Sequence, residues 1–218
     1  MLHSHGQTHE AAPETRGSTI RWAKYYDHLV RLLAFGGEKA LRAETIRLAE
    51  VRPGASVLDV GCGTGTLTLQ AKAAAGNQGT VYGIDAAPEM IEVARQKAAG
   101  KQQDVRFQVS LIEALQFPDA TFDVVLSSMM MHHLPDDLKR AGLAEFYRVL
   151  KPGGRLVIVD IKETSNAVQH LSLTGLIHSR AKTGIQSLNA LLTAQGFVGI
   201  EMGDMPMRLG YIRGQRGD

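Results

Sequence analysis

The chain has 218 residues, 44% of them apolar and 21% charged, with a net charge of +2. That composition describes a single globular domain with a substantial core, not a disordered, fibrous or membrane-spanning chain. Lys and Arg are scattered without a long basic block, which gives no argument for nucleic acid, and no apolar run approaches the ~20 residues of a membrane span. One cysteine, Cys62, excludes an internal disulfide framework; with no signal-peptide-like apolar segment at the start, a cytoplasmic protein is expected.

Residues 1 to about 17 are polar and aperiodic, with Pro13 and Gly17, and are expected to form a flexible tail before a single domain over 18–218. His3, His5 and His9 in that tail read as incidental solvated histidines in preference to metal ligands. From Ser18, a fair N-cap, the pattern turns helical. Arg21, Lys24, His28 and Arg31 share one face, and Trp22, Tyr25, Tyr26, Leu29, Leu33 and Phe35 supply the apolar side. A basic amphipathic helix of this kind is either packed on the domain or laid on a membrane surface. Gly36-Gly37 stops it; a second helix is expected from about Glu38 to Val51, and Pro53-Gly54 turns the chain into the first strand.

Strands and helices then alternate. Strands are expected at Ser56–Val60, Thr80–Ile84, Val105–Val109, Asp123–Ser127 and Arg155–Ile161, and helices at Thr66–Ala75, Pro88–Ala99 and Asp136–Leu150. Alternation of this kind predicts an α/β fold, a Rossmann-like doubly wound and mostly parallel sheet with helices on both faces. A last helix over Ile185–Gln195, ended by Gly196, precedes two closing strands near Phe197–Met202 and Met207–Arg213. These complete seven strands with an antiparallel hairpin at the C-terminus.

The most informative stretch is V-L-D-V-G-C-G-T-G, residues 57 to 65, followed at once by a helix. A strand, a glycine loop and a helix bring bare backbone against a ligand, and the N–H groups at the helix start are available to an anionic group. The spacing separates cofactors. A dinucleotide loop needs G-x-G-x-x-G, but position 66 is Thr66 and the third glycine, Gly65, comes one residue early. Asp59, two residues before Gly61, would repel a pyrophosphate and suits a cationic group instead. At the end of the second strand, Asp85 is placed either to accept hydrogen bonds from a ribose hydroxyl pair or to cap the helix starting at Pro88.

The run Asp59-x-Gly61-x-Gly63-x-Gly65 resembles the loop of the class I S-adenosylmethionine-dependent methyltransferases. The later pattern F-D-V-V-x-S, H-H-L-P and L-K-P-G-G-R-L resembles their ubiquinone/menaquinone-biosynthesis-like group. The resemblance runs from about residue 20 to 160. It implies S-adenosyl-L-methionine as cofactor, held by Asp59, Gly61, Cys62, Gly63 and Gly65 around its methionine part, with Cys62 a small structural residue. Asp85 would take the ribose, and Ala86 and Met90 would sit beside the adenine. Relatives often carry an acid after the third strand for the adenine amino group. That slot is Leu111 here, followed by Ile112 and Glu113, so the backbone of Leu111 and Ile112 is expected to read the adenine edge while their side chains pack the ring. Glu113 either substitutes for the missing acid or is an exposed helix-start residue.

The open end of the fourth strand lies beside the sulfur in such folds. His132 and His133 follow it, and one of them is a candidate base, the alternative being a cap or packing role near Pro135. Ser127 either contacts the cofactor or ends the strand. The helix from Ser18 is expected to act as an N-terminal lid, with Tyr25 and Tyr26 as one wall of the acceptor site and Met131, in Met129-Met130-Met131, as an adaptable apolar contact or as core. His170, His178 and Arg180 are read as exposed surface. No divalent metal site is expected, since Ser127-Ser128 offers no acid. The resemblance implies methyl transfer to a small apolar or aromatic molecule by a monomer or homodimer that binds no nucleic acid and has no stable membrane span. The alternatives are a cofactor-binding protein that transfers no methyl group, and a membrane-surface enzyme with a lipid acceptor.

Overall fold

The computed structural model describes residues 37–162 and 184–218. The expected lid helix with Tyr25 and Tyr26, the histidines of the tail, and His170, His178 and Arg180 lie outside the described residues. Helices are α1 (Gly37–Ala49), α2 (Thr66–Ala75), α3 (Pro88–Gly100), α4 (Asp136–Val149) and α5 (Leu188–Gln195). Strands are β1 (Ser56–Val60), β2 (Thr80–Asp85), β3 (Arg106–Val109), β4 (Phe122–Ser128), β5 (Leu150–Ile161), β6 (Phe197–Met205) and β7 (Leu209–Arg216).

The strands form one seven-stranded sheet in the order β3-β2-β1-β4-β5-β7-β6. The first five are parallel, and β7 runs antiparallel to both β5 and β6. β1 lies between β2 and β4, with Val57 flanked by Val81 and Val124. It is covered on both faces, which is why its sequence shows no polar alternation. Leu58, Val60, Ile84, Val125 and Ile158 point to the face covered by α4 and α5, joining Leu143, Phe146, Leu188 and Leu192. Val57, Val81, Val124 and Val157 point to the other face, where α1 and α2 contribute Leu41, Leu48, Leu67 and Ala71. α3 seals the β3 end of this second layer through Ile91, Ala94 and Phe107.

Several strand boundaries differ from the sequence expectation. β5 begins at Leu150, not Arg155, because Pro152-Gly153-Gly154 is absorbed as a swelling of the strand. Phe122 pairs with Leu150 and Val124 with Arg155, so the β5 side carries the surplus residues. β6 runs on to Met205 and β7 to Arg216, giving a longer hairpin than expected. Arg148 of α4 holds the long β3–β4 connection against the helix. Its guanidinium donates to the carbonyls of Phe117 (2.7 Å) and Leu115 (3.0 Å), while Glu145 accepts from the Leu115 N–H at 2.8 Å. Loop 111–121 is thereby fixed from below, next to the crevice where the order of strands reverses between β1 and β4.

Candidate active site at the carboxyl ends of the central strands

In open α/β sheets, ligands bind outside the carboxyl ends of the strands where the strand order reverses. The glycine loop after β1, the end of β2 and the turn after β4 all reach that point. Gly61, Gly63 and Gly65 have φ of 70°, 54° and 76°, a left-handed backbone that glycine takes without strain. A Cβ on Gly61 would overlap the Met130 side chain, and one on Gly65 would stand 2.7 Å from the Phe107 ring and 2.9 Å from Ala94 Cβ. A Cβ on Gly63 would meet nothing within 4 Å. Gly61 and Gly65 therefore admit protein, and Gly63 faces open space.

The loop's donors are largely spent inside the protein. Gly61 and Cys62 N–H both donate to the Ile84 carbonyl at 2.9 Å, Gly63 N–H donates to Asp85 Oδ2 at 2.9 Å, and Gly65 N–H donates to the Cys62 carbonyl at 2.9 Å. These four loop N–H groups therefore do not stand ready for an anion. A phosphate held by these four donors would have to displace their internal hydrogen bonds, whereas a cationic or hydroxylic ligand meets carbonyls and bare glycine surface. Asp85 is the hinge of the arrangement: its Oδ1 accepts the Ala87 N–H at 2.9 Å, so one carboxylate joins the glycine loop to the start of α3. Burial raises its pKa, and the backbone bonds from Ala87 and Gly63 pull it back down. Both sequence readings of Asp85 are compatible with this geometry, because each oxygen keeps a second lone pair.

Asp59 is 1% exposed and accepts a hydrogen bond from Thr68 Oγ1 at 2.6 Å. It ties β1 to α2 behind the loop instead of lining its surface, which corrects its reading as a direct ligand contact. Desolvation raises its pKa to about 7, against the Thr68 bond and the charge of Arg42, with Asp85 adding to the rise. The proton is therefore held more tightly in the folded chain than in the unfolded one. The stability this contributes is complete below pH ~4 and is lost as pH rises through ~7, a change of up to roughly 4 kcal/mol. Urea midpoints of the native protein and of Asp59→Asn, measured from pH 4 to pH 8, should diverge in favour of the variant as pH rises. Parallel profiles would refute the assignment.

The remaining residues separate by depth. Cys62 is buried, with its thiol toward the Gly63 carbonyl at 3.6 Å, and burial pushes its pKa well up; it is a packing residue. Met90 is 3% exposed and packs on Ala87 and Val93, while Ala86 is half-buried. Leu111 is half-buried; Ile112 is not available to a ligand ring, since its side chain fills the space above Gly142 in the main core. Glu113 is half-buried, with Oε2 enclosed and lacking a hydrogen-bond partner, and Ser127 Oγ is in the same condition on a fully buried residue. Such oxygens cost free energy unless a ligand or water supplies a donor.

The three methionines after β4 diverge. Met129 has φ of 57°, an uncommon backbone for a side-chain-bearing residue, and packs on the α1–α2 side. Met130 lies against Gly61. Met131 begins a 3-10 turn, Met131–His133, and is 1% exposed in the main core. Met131 is thus excluded as an acceptor contact; Met130, which the sequence did not separate from its neighbours, is the one beside the loop.

His132 is held by a residue the sequence reading missed. Its Nδ1 lies 2.5 Å from Asp160 Oδ1 and its backbone N–H donates to Asp160 Oδ2 at 3.0 Å. Ile161 N–H donates to the same carboxylate at 2.7 Å. The two side chains are 4% and 3% exposed. The His133 ring lies against that of His132, tilted by 41°, at 3.9 Å between centroids. The available signal was V-I-V-D-I: a lone acid at the carboxyl end of an apolar strand, as with Asp59 and Asp85.

Residues 57–154 match the family model described as a methyltransferase domain. A demethylmenaquinone methyltransferase of Thermus thermophilus is 41% identical over 138 residues, 63% of this chain and 61% of that protein. A ubiquinone/menaquinone biosynthesis C-methyltransferase of Geotalea daltonii is 35% identical over 140 residues, 63% of this chain and 59% of that one. The matched stretch therefore spans about three-fifths of the relatives' own length. A crystal structure of a SAM-dependent methyltransferase from Aquifex aeolicus superposes with TM-score 0.69 at 24% identity, covering 89% of this chain and 96% of that one. Residues 57–154 thus match a methyltransferase domain, and the fold around them is similar to that of solved SAM-dependent methyltransferases.

Proposed function

We propose that the protein transfers a methyl group from S-adenosyl-L-methionine to a small aromatic acceptor of the reduced-quinone type. The carrying observation is the glycine loop. The N–H groups of Gly61, Cys62, Gly63 and Gly65 are engaged within the protein, the loop's open face is at Gly63, and the Asp85 carboxylate stands beside it. That surface suits the cofactor's cationic methionine part and ribose and disfavours a pyrophosphate. The enclosed Glu113 Oε2, in the loop after β3, would accept the adenine amino group in place of the acid that position 111 lacks.

The cofactor supplies a methyl group already activated on a sulfonium. The chain has to hold the two reactants in line, keep water out and take up a proton where the acceptor loses one. Asp85 would bind the ribose, Gly61 to Gly65 the methionine part, and Ala86 with Leu111 the adenine, Met90 supporting that shelf from beneath. Met130 would border the path between donor and acceptor. His132 and His133 stand at the turn after β4, where a base is needed. The relatives' names supply the acceptor class, a demethylmenaquinone-like ring. Among the described residues no helix is long and apolar enough to cross a membrane.

The test is calorimetric titration with S-adenosylhomocysteine, with NAD as control, followed by transfer of labelled methyl to 1,4-naphthohydroquinone. Micromolar binding of the first compound alone and label in the naphthol product are expected. Failure to bind it would remove the cofactor. Binding without transfer to the naphthohydroquinone, to phenols, to amines or to lipid vesicles would select a cofactor-binding protein without methyl transfer.

A further inference from the structure

We propose that Asp160 is the positioning residue that makes His132, and not His133, the general base of the reaction. The inference rests on the methyltransferase reading above and goes beyond it by assigning a residue on β5 and a specific imidazole nitrogen.

An ionised carboxylate only accepts hydrogen bonds, so the 2.5 Å contact between Asp160 Oδ1 and His132 Nδ1 is made by Nδ1–H donating. A neutral imidazole with its proton on Nδ1 keeps its lone pair on Nε2. The carboxylate is itself aimed, because the N–H groups of Ile161 and His132 both donate to it. Neither side chain is appreciably exposed, so water competes poorly for either partner. The ring is thus locked in one tautomer and one orientation at the carboxyl ends of β4 and β5. The imidazolium formed on proton uptake remains paired with an anion. This is the logic by which an acid orients a catalytic histidine in unrelated folds.

An acceptor with a hydroxyl proton to lose, a phenol or enol, is the class such a base serves. The proton passes from the acceptor hydroxyl to Nε2. The electrons it releases drive formation of the acceptor–methyl bond, and the pair of the broken methyl–sulfur bond stays on sulfur. The imidazolium afterwards gives the proton to water.

The experiment has two arms. In protein labelled with ¹⁵N-histidine and saturated with S-adenosylhomocysteine, the His132 signal, assigned by its loss in His132→Gln, should show the proton on Nδ1 at pH 8. In Asp160→Asn that tautomer preference should be lost. Its kcat toward 1,4-naphthohydroquinone should fall by roughly 100-fold, with KM and S-adenosylhomocysteine affinity within about twofold of native, and Asp160→Glu should recover part of the rate. A native proton on Nε2, or an unchanged kcat in folded Asp160→Asn, overturns the proposal. If Asp160→Asn does not fold, the native tautomer decides. A native protein that binds no S-adenosylhomocysteine, or methylates nothing, overturns the methyltransferase reading and this base with it. The wrong tautomer in an active protein overturns the Asp160 assignment alone.

Discussion

Replacing Asp85 with alanine is expected to weaken S-adenosylhomocysteine binding by roughly two to four orders of magnitude, the largest effect on affinity of any single substitution in the site. The carboxylate accepts the Gly63 N–H and the Ala87 N–H, each at 2.9 Å, and so holds the glycine loop and the start of α3 in register. It is also the acid placed for the ribose hydroxyl pair. Hydrogen bonds to a charged group contribute about 1.5–3 kcal/mol each. Losing two of them to the ligand amounts to about 3–6 kcal/mol, and loosening Gly63 adds to the loss. Asp85→Asn separates the two functions. An amide oxygen can still accept one backbone N–H, but its NH2 group cannot accept the other, so asparagine should bind the ligand more weakly than native and more tightly than alanine. Titration calorimetry on all three proteins checks the order. Equal affinity in native and alanine forms would remove Asp85 from the site.

The contrast between Asp85 and Met131 shows what the sequence could carry. Asp85, Asp59 and the glycines sit at fixed spacing in a strand–loop–helix unit, and spacing in regular structure converts directly into position. The parallel strands were equally legible, because burial on both faces leaves continuous apolar runs. The segment after β4 was not. Three consecutive methionines carry no periodicity, and their directions are set by the left-handed backbone at Met129 and the 3-10 turn that follows, which rotates Met131 into the core. Asp160 was hidden for a different reason. Its partner His132 lies 28 residues earlier on a neighbouring strand's turn, so only the pairing of β4 with β5 brings them together. Asp59 was picked out as unusual and assigned to a cationic ligand group, but it is buried behind the loop. Alternation along β1 puts it on the α2 side, under Thr68.

Glycines of one loop should fail in opposite ways. Gly65→Ala is expected to destabilise the fold by roughly 2–5 kcal/mol. A left-handed backbone with a side chain costs about 1–2 kcal/mol, and forcing a methyl into packed surroundings adds typically 1–3 kcal/mol. The new Cβ would stand 2.7 Å from the Phe107 ring and 2.9 Å from Ala94, both in the cluster that seats α3 on the sheet. Neither neighbour can retreat cheaply: Phe107 is also what closes over Gly83, at 2.6 Å from the Cβ that residue lacks. Gly63→Ala meets nothing within 4 Å and incurs only the backbone term of about 1–2 kcal/mol. Its methyl occupies the open space assigned to the cofactor. Gly63→Ala should therefore melt about 2–8 °C below the native protein, less far than Gly65→Ala, and lose at least tenfold in S-adenosylhomocysteine affinity. Gly65→Ala should melt several degrees lower and, at temperatures where it remains folded, bind with a smaller loss. Thermal melts with and without S-adenosylhomocysteine resolve the two: the ligand-induced rise in Tm should shrink for Gly63→Ala and survive, from a lower baseline, for Gly65→Ala. The reverse pattern would mean that the open face of the loop is not where the cofactor lies.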